Sequence, residues 1–315
     1  DKLCSHNFDG ESASSVVADF SNYFEVVLDE WYEGRPAASK KAFDKAMDLI
    51  PEDLVKCISD PVNQEYESTM YRLRVGDPGA GFERGDLFHI PFEKRHLVSG
   101  QRYSFPGVPC LYLGRTSYIC WEELGRPEFS KVWLSKFKIR SDRKLTLLNF
   151  AYRPSYLAAN LESVDDSTQS WLESYVRMWP LLAACSFQAR HGDAPFVPEY
   201  IIPKLLLRWV LDNESVDGVR YFSTHVRANS VGLAATNFVV PAQGKGSKGY
   251  CQKLVNAFEL TDPVNWSELK AALVKTEGIS RNAGITLSDD YIVRYDLTEF
   301  WKQEAKMENF DCESV

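Results

Sequence analysis

Four side chains between residues 102 and 123 have the charges and shapes needed to act on an anionic, aromatic substrate. Tyr112 follows Arg102 after ten residues, and Glu123 follows Tyr112 after eleven, next to a second acid at Glu122. The surrounding pattern predicts a strand that carries Arg102, a Pro-Gly turn, a strand that carries Tyr112 and a helix that carries the two acids. We therefore expect cationic, aromatic and anionic groups to converge on one site.

Such a set suits cleavage of the N-glycosidic bond of a nicotinamide nucleotide. An arginine binds phosphate or ribose, a tyrosine offers its ring face to the nicotinamide, and a carboxylate stabilises the oxocarbenium-like cation that forms as the base leaves. Residue composition by itself favours a structural interpretation instead. In that interpretation Arg102 and Glu123 form an ion pair and Tyr112 fills the core.

These residues belong to a longer series of short motifs. The series comprises Met70-Tyr71-Arg72-Leu73-Arg74, Arg102-Tyr103-Ser104, Leu111-Tyr112-Leu113-Gly114, Trp121-Glu122-Glu123-Leu124, the segment from Asp217-Gly218 through Tyr221 to Ser223, and the strand that begins at Thr236-Asn237. In order and spacing it resembles the RES domain, the toxin domain of bacterial RES toxin-antitoxin pairs. The resemblance covers about residues 70–241.

The resemblance implies both a fold and an activity. RES domains are similar to ADP-ribosyltransferases, which implies an α+β fold with a bent or split mixed sheet, flanking helices and NAD as the substrate. The implied reaction is release of nicotinamide from NAD by glycohydrolysis or phosphorolysis, which depletes NAD in a toxin or antiviral effector. An ADP-ribosyltransferase that modifies a protein or nucleic acid is the alternative. A noncatalytic nucleotide-binding regulatory module is the third.

Roles for individual residues follow from the same resemblance. Arg102 would bind phosphate or ribose, Tyr112 would pack on the nicotinamide, and Glu123 would contact the ribose and stabilise the cation. The substrate-binding set would be Arg72, Arg74, Ser223 and Asn237. Glu122 leaves the choice of carboxylate open, and spacing favours Glu123. We expect no metal and no bound cofactor; the expected partners are NAD, a neutralising antitoxin or regulatory protein, and a second copy of the chain.

Composition and charge disfavour several other classes of protein. The 315 residues carry a formal net charge of −8 and are 44% hydrophobic and 25% charged, as is typical of soluble globular proteins. The acidic balance disfavours nucleic-acid binding, and the longest apolar runs are too short to cross a membrane. The first residues lack the apolar core of a secretion signal, so cytoplasmic residence is the default expectation.

Three other patterns carry less information. The stretch from Gly244 to Gly249 matches the letters of a dinucleotide-binding loop but lacks the surrounding βαβ unit, so we interpret it as a loop. Ser223 and His225 lie two apart on a predicted strand without a Gly-x-Ser-x-Gly elbow, which favours a polar strand face over a hydrolase triad. The seven widely spaced cysteines predict buried free thiols rather than disulfides or a zinc cluster.

Hydrophobic periodicity divides the chain into three parts. We expect a helical N-terminal segment at residues 1–65 and a helical C-terminal extension at residues 250–315. The part between them, residues 66–249, is the one that the resemblance implies to be a RES-like NAD-binding catalytic domain. Predicted helices cover residues 16–31, 39–50, 117–124, 167–187 with an interruption or kink at Pro180, 202–211, 266–275 and 297–308. Predicted strands cover residues 70–75, 87–90, 109–113, 145–150, 219–226 and 236–240.

Overall fold

Helices and strands are interspersed along the described part of the chain. The computed structural model describes residues 10–50, 52, 55, 59–62, 69–154, 166–192, 194–226, 235–244, 246–272, 284–288 and 291–315. The helices are α1 (Gly10–Tyr32), α2 (Pro36–Met47), α3 (Arg84–Leu87), α4 (Ser117–Glu123), α5 (Asp166–Arg177), α6 (Trp179–Ser186), α7 (Ile201–Asp212), α8 (Gln252–Ala257), α9 (Trp266–Ala271) and α10 (Glu299–Met307). The strands are β1 (Ser59–Val62), β2 (Thr69–Val75), β3 (Cys110–Gly114), β4 (Val132–Ile139), β5 (Leu145–Phe150), β6 (Gly218–Phe222), β7 (Thr236–Pro241), β8 (Phe258–Leu260), β9 (Val264–Asn265), β10 (Gly284–Ser288) and β11 (Tyr291–Arg294).

Nine of the described strands form one mixed sheet. Its order is β1-β5-β6-β7-β3-β2-β4-β8, and β9 also pairs with β4. Strands β5 and β6 are parallel, whereas the other neighbours in the sheet are antiparallel. The remaining strands, β10 and β11, pair with each other. The expected α+β fold, with a mixed sheet and flanking helices, is confirmed.

The sheet almost divides between β2 and β3, two neighbouring strands near its middle. Strand β2 pairs along its whole length with β4, and all five residues of β3 pair with β7. Between β2 and β3, both of which are fully described, pairing occurs only where Tyr71 lies opposite Gly114. The two halves of the sheet therefore diverge from a single point of contact.

The N-terminal helices α1 and α2 pack onto the helical layer beside the sheet. Gly34, with φ +73°, lies in the turn that ends α1, and Pro36 occupies the first turn of α2. The rings of Phe24 and Phe43 stack between the two helices at 6.0 Å. Both rings belong to a buried cluster that also includes residues of α6, α7 and β6. The apolar faces expected from the sequence are therefore core.

The segment after residue 250 contributes strands as well as helices. Strands β8 and β9 extend the main sheet at β4, and helices α9 and α10 cover a buried cluster in which Trp266 and Met307 pack with Tyr118 of α4. Lys136, fully buried in β4, donates from Nζ to the Met307 carbonyl oxygen at 2.6 Å. The sequence predicted helices α9 and α10 of this segment and missed helix α8 and the strands.

Most predicted elements are present with their ends shifted by a few residues, but one predicted strand is absent and the eight-residue strand β4 was not predicted. The strand predicted at residues 87–90 is wrong. Phe88 and His89 pair with no strand, and their aromatic side chains are instead buried against the ring of Tyr250. Strand β4 was missed because nearly every residue in it is buried, which removes the alternation that marks a half-exposed strand. The interruption expected near Pro180 is confirmed, because residues 167–187 form two helices that meet at Met178.

The described cysteines agree with the prediction of free thiols. Cys110, Cys120, Cys185 and Cys251 are buried and Cys312 is partly exposed, and all five are unpaired; Cys4 and Cys57 lie outside the described residues. Within the same part of the chain, no cluster of three or more His, Cys, Asp or Glu side chains is arranged to hold a metal ion. None of the described helices has the length and apolar character needed to cross a membrane.

Candidate active site

A cavity of about 410 Å³ opens where β2 and β3 diverge. Its walls come from these two strands, the C-terminal end of α4, strand β7 and the segment that follows β6. The side chains that line it include Arg72, Arg102, Tyr112, Glu123, His225 and Asn237. Five of the seven site residues predicted from the sequence therefore meet at one cavity: Arg72, Arg102, Tyr112, Glu123 and Asn237.

Helix α4 can approach the sheet this closely because β3 ends in a glycine. A Cβ atom on Gly114 would lie 2.5 Å from both Cys120 Sγ and Ile119 Cγ2, far inside normal contact distance. The Cys120 thiol donates to the Tyr71 carbonyl oxygen at 3.2 Å, which ties α4 to β2. The helix ends at Glu123, so this packing determines where that carboxylate lies.

The Glu123 carboxylate is held by two hydrogen bonds. Ser223 donates from its hydroxyl to Glu123 Oε1 at 2.5 Å, and Asn237 donates from Nδ2 to the same oxygen at 2.6 Å. Asn237 lies on β7, and the Ser223 backbone N–H bonds to the Ala235 carbonyl oxygen just before that strand. His225 Nε2 lies 3.6 Å from the other oxygen, Oε2. The sheet thus fixes one carboxylate oxygen and leaves the second towards His225 and the cavity.

The neighbouring acid, Glu122, has a different environment. It is buried and forms an ion pair with Arg126 at 2.9 Å, one turn along the chain. Successive helical residues point about 100° apart, so only one of the two acids can face the cavity. Spacing favoured Glu123, and Glu123 is the acid that lines it.

Arg72 is a cation that the rest of the described chain does not neutralise. Its Nη1 atom is buried without a hydrogen-bond partner, and it forms no ion pair with any described carboxylate. Burial lowers the pKa of Arg72 to about 10, with a further lowering from the charge of Arg74, so the guanidinium is still protonated at neutral pH. Burying an unpaired charge is costly, and an anionic ligand is the group that would satisfy it.

The second arginine of β2, Arg74, lies outside the cavity lining. Its side chain is exposed and donates from Nη1 to the Asp86 carbonyl oxygen at 2.7 Å. The same Nη1 atom lies 3.3 Å from the Asp86 carboxylate. The structure therefore brings Arg72, and not Arg74, to the residues around Glu123.

Arg102 lies in a turn rather than on the predicted strand. It donates from Nη1 to the Cys185 and Phe187 carbonyl oxygens at 3.1 and 2.8 Å and from Nη2 to Thr224 Oγ1 at 3.0 Å. Its guanidinium also lies 4.9 Å from the ring centre of Tyr200. These contacts replace the Arg102–Glu123 ion pair that composition favoured, which the structure does not contain.

Three tyrosines face the cavity with Arg102. Tyr112 lies on β3 opposite Val239 of β7, and Tyr200 and Tyr221 line the same space. Burial raises the pKa of Tyr112 and of Tyr221 well above the usual range of a phenol. Both phenols therefore stay neutral, and they offer ring faces and hydroxyl groups rather than charge.

The two alternative motifs do not form the sites that their letters suggest. Ser223 Oγ accepts the backbone N–H of His225 at 3.1 Å and donates to Glu123, whereas the His225 imidazole lies beside Glu123. This geometry agrees with a polar strand end and not with a nucleophile–base pair. The loop from Gly244, described except for residue 245, bonds instead to the 3₁₀ helix Phe92–Leu97, where the Gly249 N–H donates to Glu93 at 2.7 Å.

Comparison with known proteins finds a bacterial relative. The chain is 30% identical over 278 residues to the protein named "Putative toxin YopC" of Bacillus subtilis (strain 168). The similarity covers 84% of this chain, which spans 62% of the length of that relative. No protein-family model and no solved structure matches the chain. The similarity to the RES domain thus stays a prediction from the motifs and their spacing.

Sequence reasoning missed part of the cavity wall. Tyr200 comes from the short 3₁₀ helix Pro198–Tyr200 ahead of α7, and no motif marks it. Thr224 and His225 follow Ser223 directly, so the polar run at the end of β6 was a signal for both. His225 was weighed only as a partner of Ser223, because its distance from Glu123 along the chain hides their proximity.

Proposed function

We propose that this protein releases nicotinamide from NAD and acts as a toxin by depleting the cofactor. One observation carries the proposal: the oriented carboxylate of Glu123 shares a cavity with the unpaired cation of Arg72 and the neutral ring of Tyr112. These are the anionic, cationic and aromatic groups that a positively charged nicotinamide ribose linked to a pyrophosphate requires.

The reaction needs charge stabilisation more than it needs a strong nucleophile. NAD and water yield nicotinamide, ADP-ribose and a proton. As the glycosidic C–N bond breaks, its electron pair leaves with the nicotinamide, and positive charge develops on the ribose. The Glu123 carboxylate stabilises that charge. Because Ser223 and Asn237 already hold Oε1, no reorganisation of the carboxylate is needed as the charge appears.

The remaining side chains bind and orient the dinucleotide. Arg72 supplies the counter-charge for the pyrophosphate, whose binding would satisfy the buried Nη1 atom. The ring of Tyr112 packs on the nicotinamide while that ring is still cationic. Arg102 already uses three of its five N–H groups on protein acceptors. We therefore assign it chiefly to holding Thr224 at the cavity, with its other donors free for the ribose or a phosphate.

The toxin role is supported by the name of the Bacillus subtilis relative. A protein that consumes NAD is harmful in the cytoplasm that makes it, which is where we propose that it acts. Its partners would then include a neutralising antitoxin or regulatory protein. The reaction as written uses no metal and no bound cofactor, because the departing nicotinamide is neutral and needs no Lewis acid.

Incubation of the purified full chain with NAD tests the proposal. We expect free nicotinamide and ADP-ribose by chromatography, and ADP-ribose 1-phosphate instead if inorganic phosphate is the acceptor. A chelator should leave the rate unchanged. Label from adenine-labelled NAD on a macromolecule would identify an ADP-ribosyltransferase. Binding of NAD without turnover would identify a noncatalytic module, and either result would overturn the proposal.

A further inference from the structure

The helix that carries Glu123 is held at its other end by the C-terminal helix α10. Glu304 of α10 is only 2% exposed. Its Oε1 atom accepts the Ser117 backbone N–H at 2.6 Å, the Ser117 hydroxyl at 2.8 Å and the Tyr295 hydroxyl at 2.5 Å. Two of the three donors belong to the first residue of α4, and one comes from the C-terminal segment itself.

Helix α4 needs such support because it is short. It has seven residues, far fewer than an isolated helix requires to be stable in water. The first N–H groups of any helix lack partners within the helix. In α4 the Ser117 N–H is satisfied by Glu304, and the Ile119 N–H is satisfied by the side chain of Thr116. A carboxylate from a distant part of the chain therefore completes the start of α4.

A second contact joins the same two helices through aromatic rings. Phe300 of α10 lies 5.4 Å from the ring of Tyr118 and 5.5 Å from that of Trp121, both on α4. Its ring also contacts Trp266 of α9 at 5.4 Å. Together with Glu304, these contacts fix one end and one face of α4, while Cys120 and Gly114 fix the face towards the sheet.

We infer that Glu304 is a positioning residue for Glu123, and that the C-terminal segment completes the active site without contributing a side chain to the cavity. This role rests on the proposed function only where it is tested by the rate of NAD cleavage. Removal of Glu304 leaves the Ser117 N–H and hydroxyl buried without an acceptor, and α4 relieves this by moving or fraying. Arg72 and Tyr112, which lie on strands, stay where they are. Transition-state stabilisation is then lost while NAD binding is kept.

Substitution at Glu304 separates positioning from simple loss of stability. Glu304→Leu keeps the volume and removes the acceptor, so we expect kcat to fall at least about tenfold with the Kd for NAD changed less than about twofold. Glu304→Gln restores an acceptor oxygen and should recover most of kcat. The matched control is Gln303→Leu, next on the same helix, equally buried and bonded within α10 to Glu299. It should leave kcat unchanged even where it lowers Tm.

Hydrogen exchange tests the inference without any assay of NAD cleavage. In the folded Glu304→Leu variant, the amides of residues 117–123 should exchange at least about tenfold faster than in Gln303→Leu. If the Leu variant does not fold, Ser117→Ala takes its place, because it removes one donor to Glu304; it should accelerate the same amides and lower kcat in the same direction. Unchanged exchange in α4, or an equal loss of kcat in Gln303→Leu, would overturn the inference. If the wild-type protein cleaves no NAD but the variants differ in exchange as described, only the proposed function is overturned.

Discussion

Glu122 and Glu123 are adjacent in the chain, yet their carboxylates serve different parts of the molecule. Glu122 is buried against Arg126, whereas Glu123 accepts hydrogen bonds from Ser223 and Asn237 at the edge of the cavity. The last turn of α4 thus separates an acid that stabilises the helix from an acid that is available to a ligand.

Substitution of each acid by glutamine should separate these roles. We expect Glu123→Gln to lower kcat by at least about 100-fold, with the Kd for NAD and Tm nearly unchanged, because the lost charge acts only in the transition state. Glu122→Gln should keep kcat and cost at most about 1 kcal/mol, since its partner Arg126 is largely exposed. NAD turnover and thermal unfolding measure both effects. A fully active Glu123→Gln would refute the site assignment.

Arg72→Met should stabilise the fold and weaken the substrate complex. The substitution removes a half-buried guanidinium whose buried Nη1 atom has no protein partner, so we expect the free energy of unfolding to rise by up to about 1 kcal/mol. The Kd for NAD should rise at least about tenfold, because the pyrophosphate loses its counter-charge. Arg74→Met is the matched control, since that exposed side chain lies outside the cavity, and it should change neither quantity much. A destabilised Arg72→Met that binds NAD normally would show that the guanidinium is structural.

Gly114→Ala tests how closely α4 must approach β3. The new methyl group would overlap Cys120 and Ile119, so we expect a loss of about 1–3 kcal/mol in stability and a fall in kcat larger than the fraction of unfolded protein explains. Gly79→Ala is the control, because a Cβ there meets nothing within 4 Å. Stability by urea unfolding and turnover at a temperature where both variants are folded provide the comparison. Equal kcat values would mean that α4 tolerates displacement.

The buried His89 should make the fold sensitive to acid. Its Nδ1–H donates to the Ile90 carbonyl oxygen and its Nε2 accepts the Cys251 N–H, each at 2.8 Å. Burial lowers the pKa of His89 to about 4, against about 6.5 in an unfolded chain. Between these values the unfolded state binds a proton that the native state does not. The free energy of unfolding should therefore fall as pH decreases from about 6.5 to 4, by up to about 3 kcal/mol.

Urea unfolding at several pH values measures this dependence. His89→Gln cannot take up the proton, so its stability should be lower at neutral pH but flatter across the same interval. The exposed His96 supplies the control, and His96→Gln should follow the wild type. If wild type and His89→Gln showed the same slope between pH 4 and 6.5, the proton uptake would belong to other groups.

The sequence predicted those parts of the fold whose signals are local. Strands β2 and β3 and helix α4 were expected near their observed bounds, because each is a short apolar or amphipathic run between turn residues. Motif spacing also selected Arg72, Tyr112, Glu123 and Asn237, which line one cavity. Spacing along a strand–helix unit limits where its side chains can point, so this part of the site could be predicted from the sequence.

The contacts that were missed join distant parts of the chain. Arg102 bonds to two backbone carbonyl groups more than 80 residues away, and every residue has such a carbonyl, so residue types do not identify the partner. Glu304 accepts a hydrogen bond from Ser117, 187 positions earlier in the chain. Nothing in the sequence distinguishes Glu304 from the other acids of its amphipathic helix. Such contacts depend on how the layers pack, which a single sequence does not specify.

The separation of these contacts also determines when the site can exist during synthesis. Ser223 and Asn237 lie 100 and 114 positions after Glu123, and Glu304 comes later still. At about 5–20 residues per second, the stretch between Glu123 and Glu304 takes roughly 10–40 s to translate. A ribosome-bound chain that has just exposed Glu123 therefore lacks Ser223 and Asn237, which orient that carboxylate. It also lacks Glu304, which supports the start of α4. For the NAD cleavage proposed above, this delay would keep each nascent chain inactive until its own folding is nearly finished.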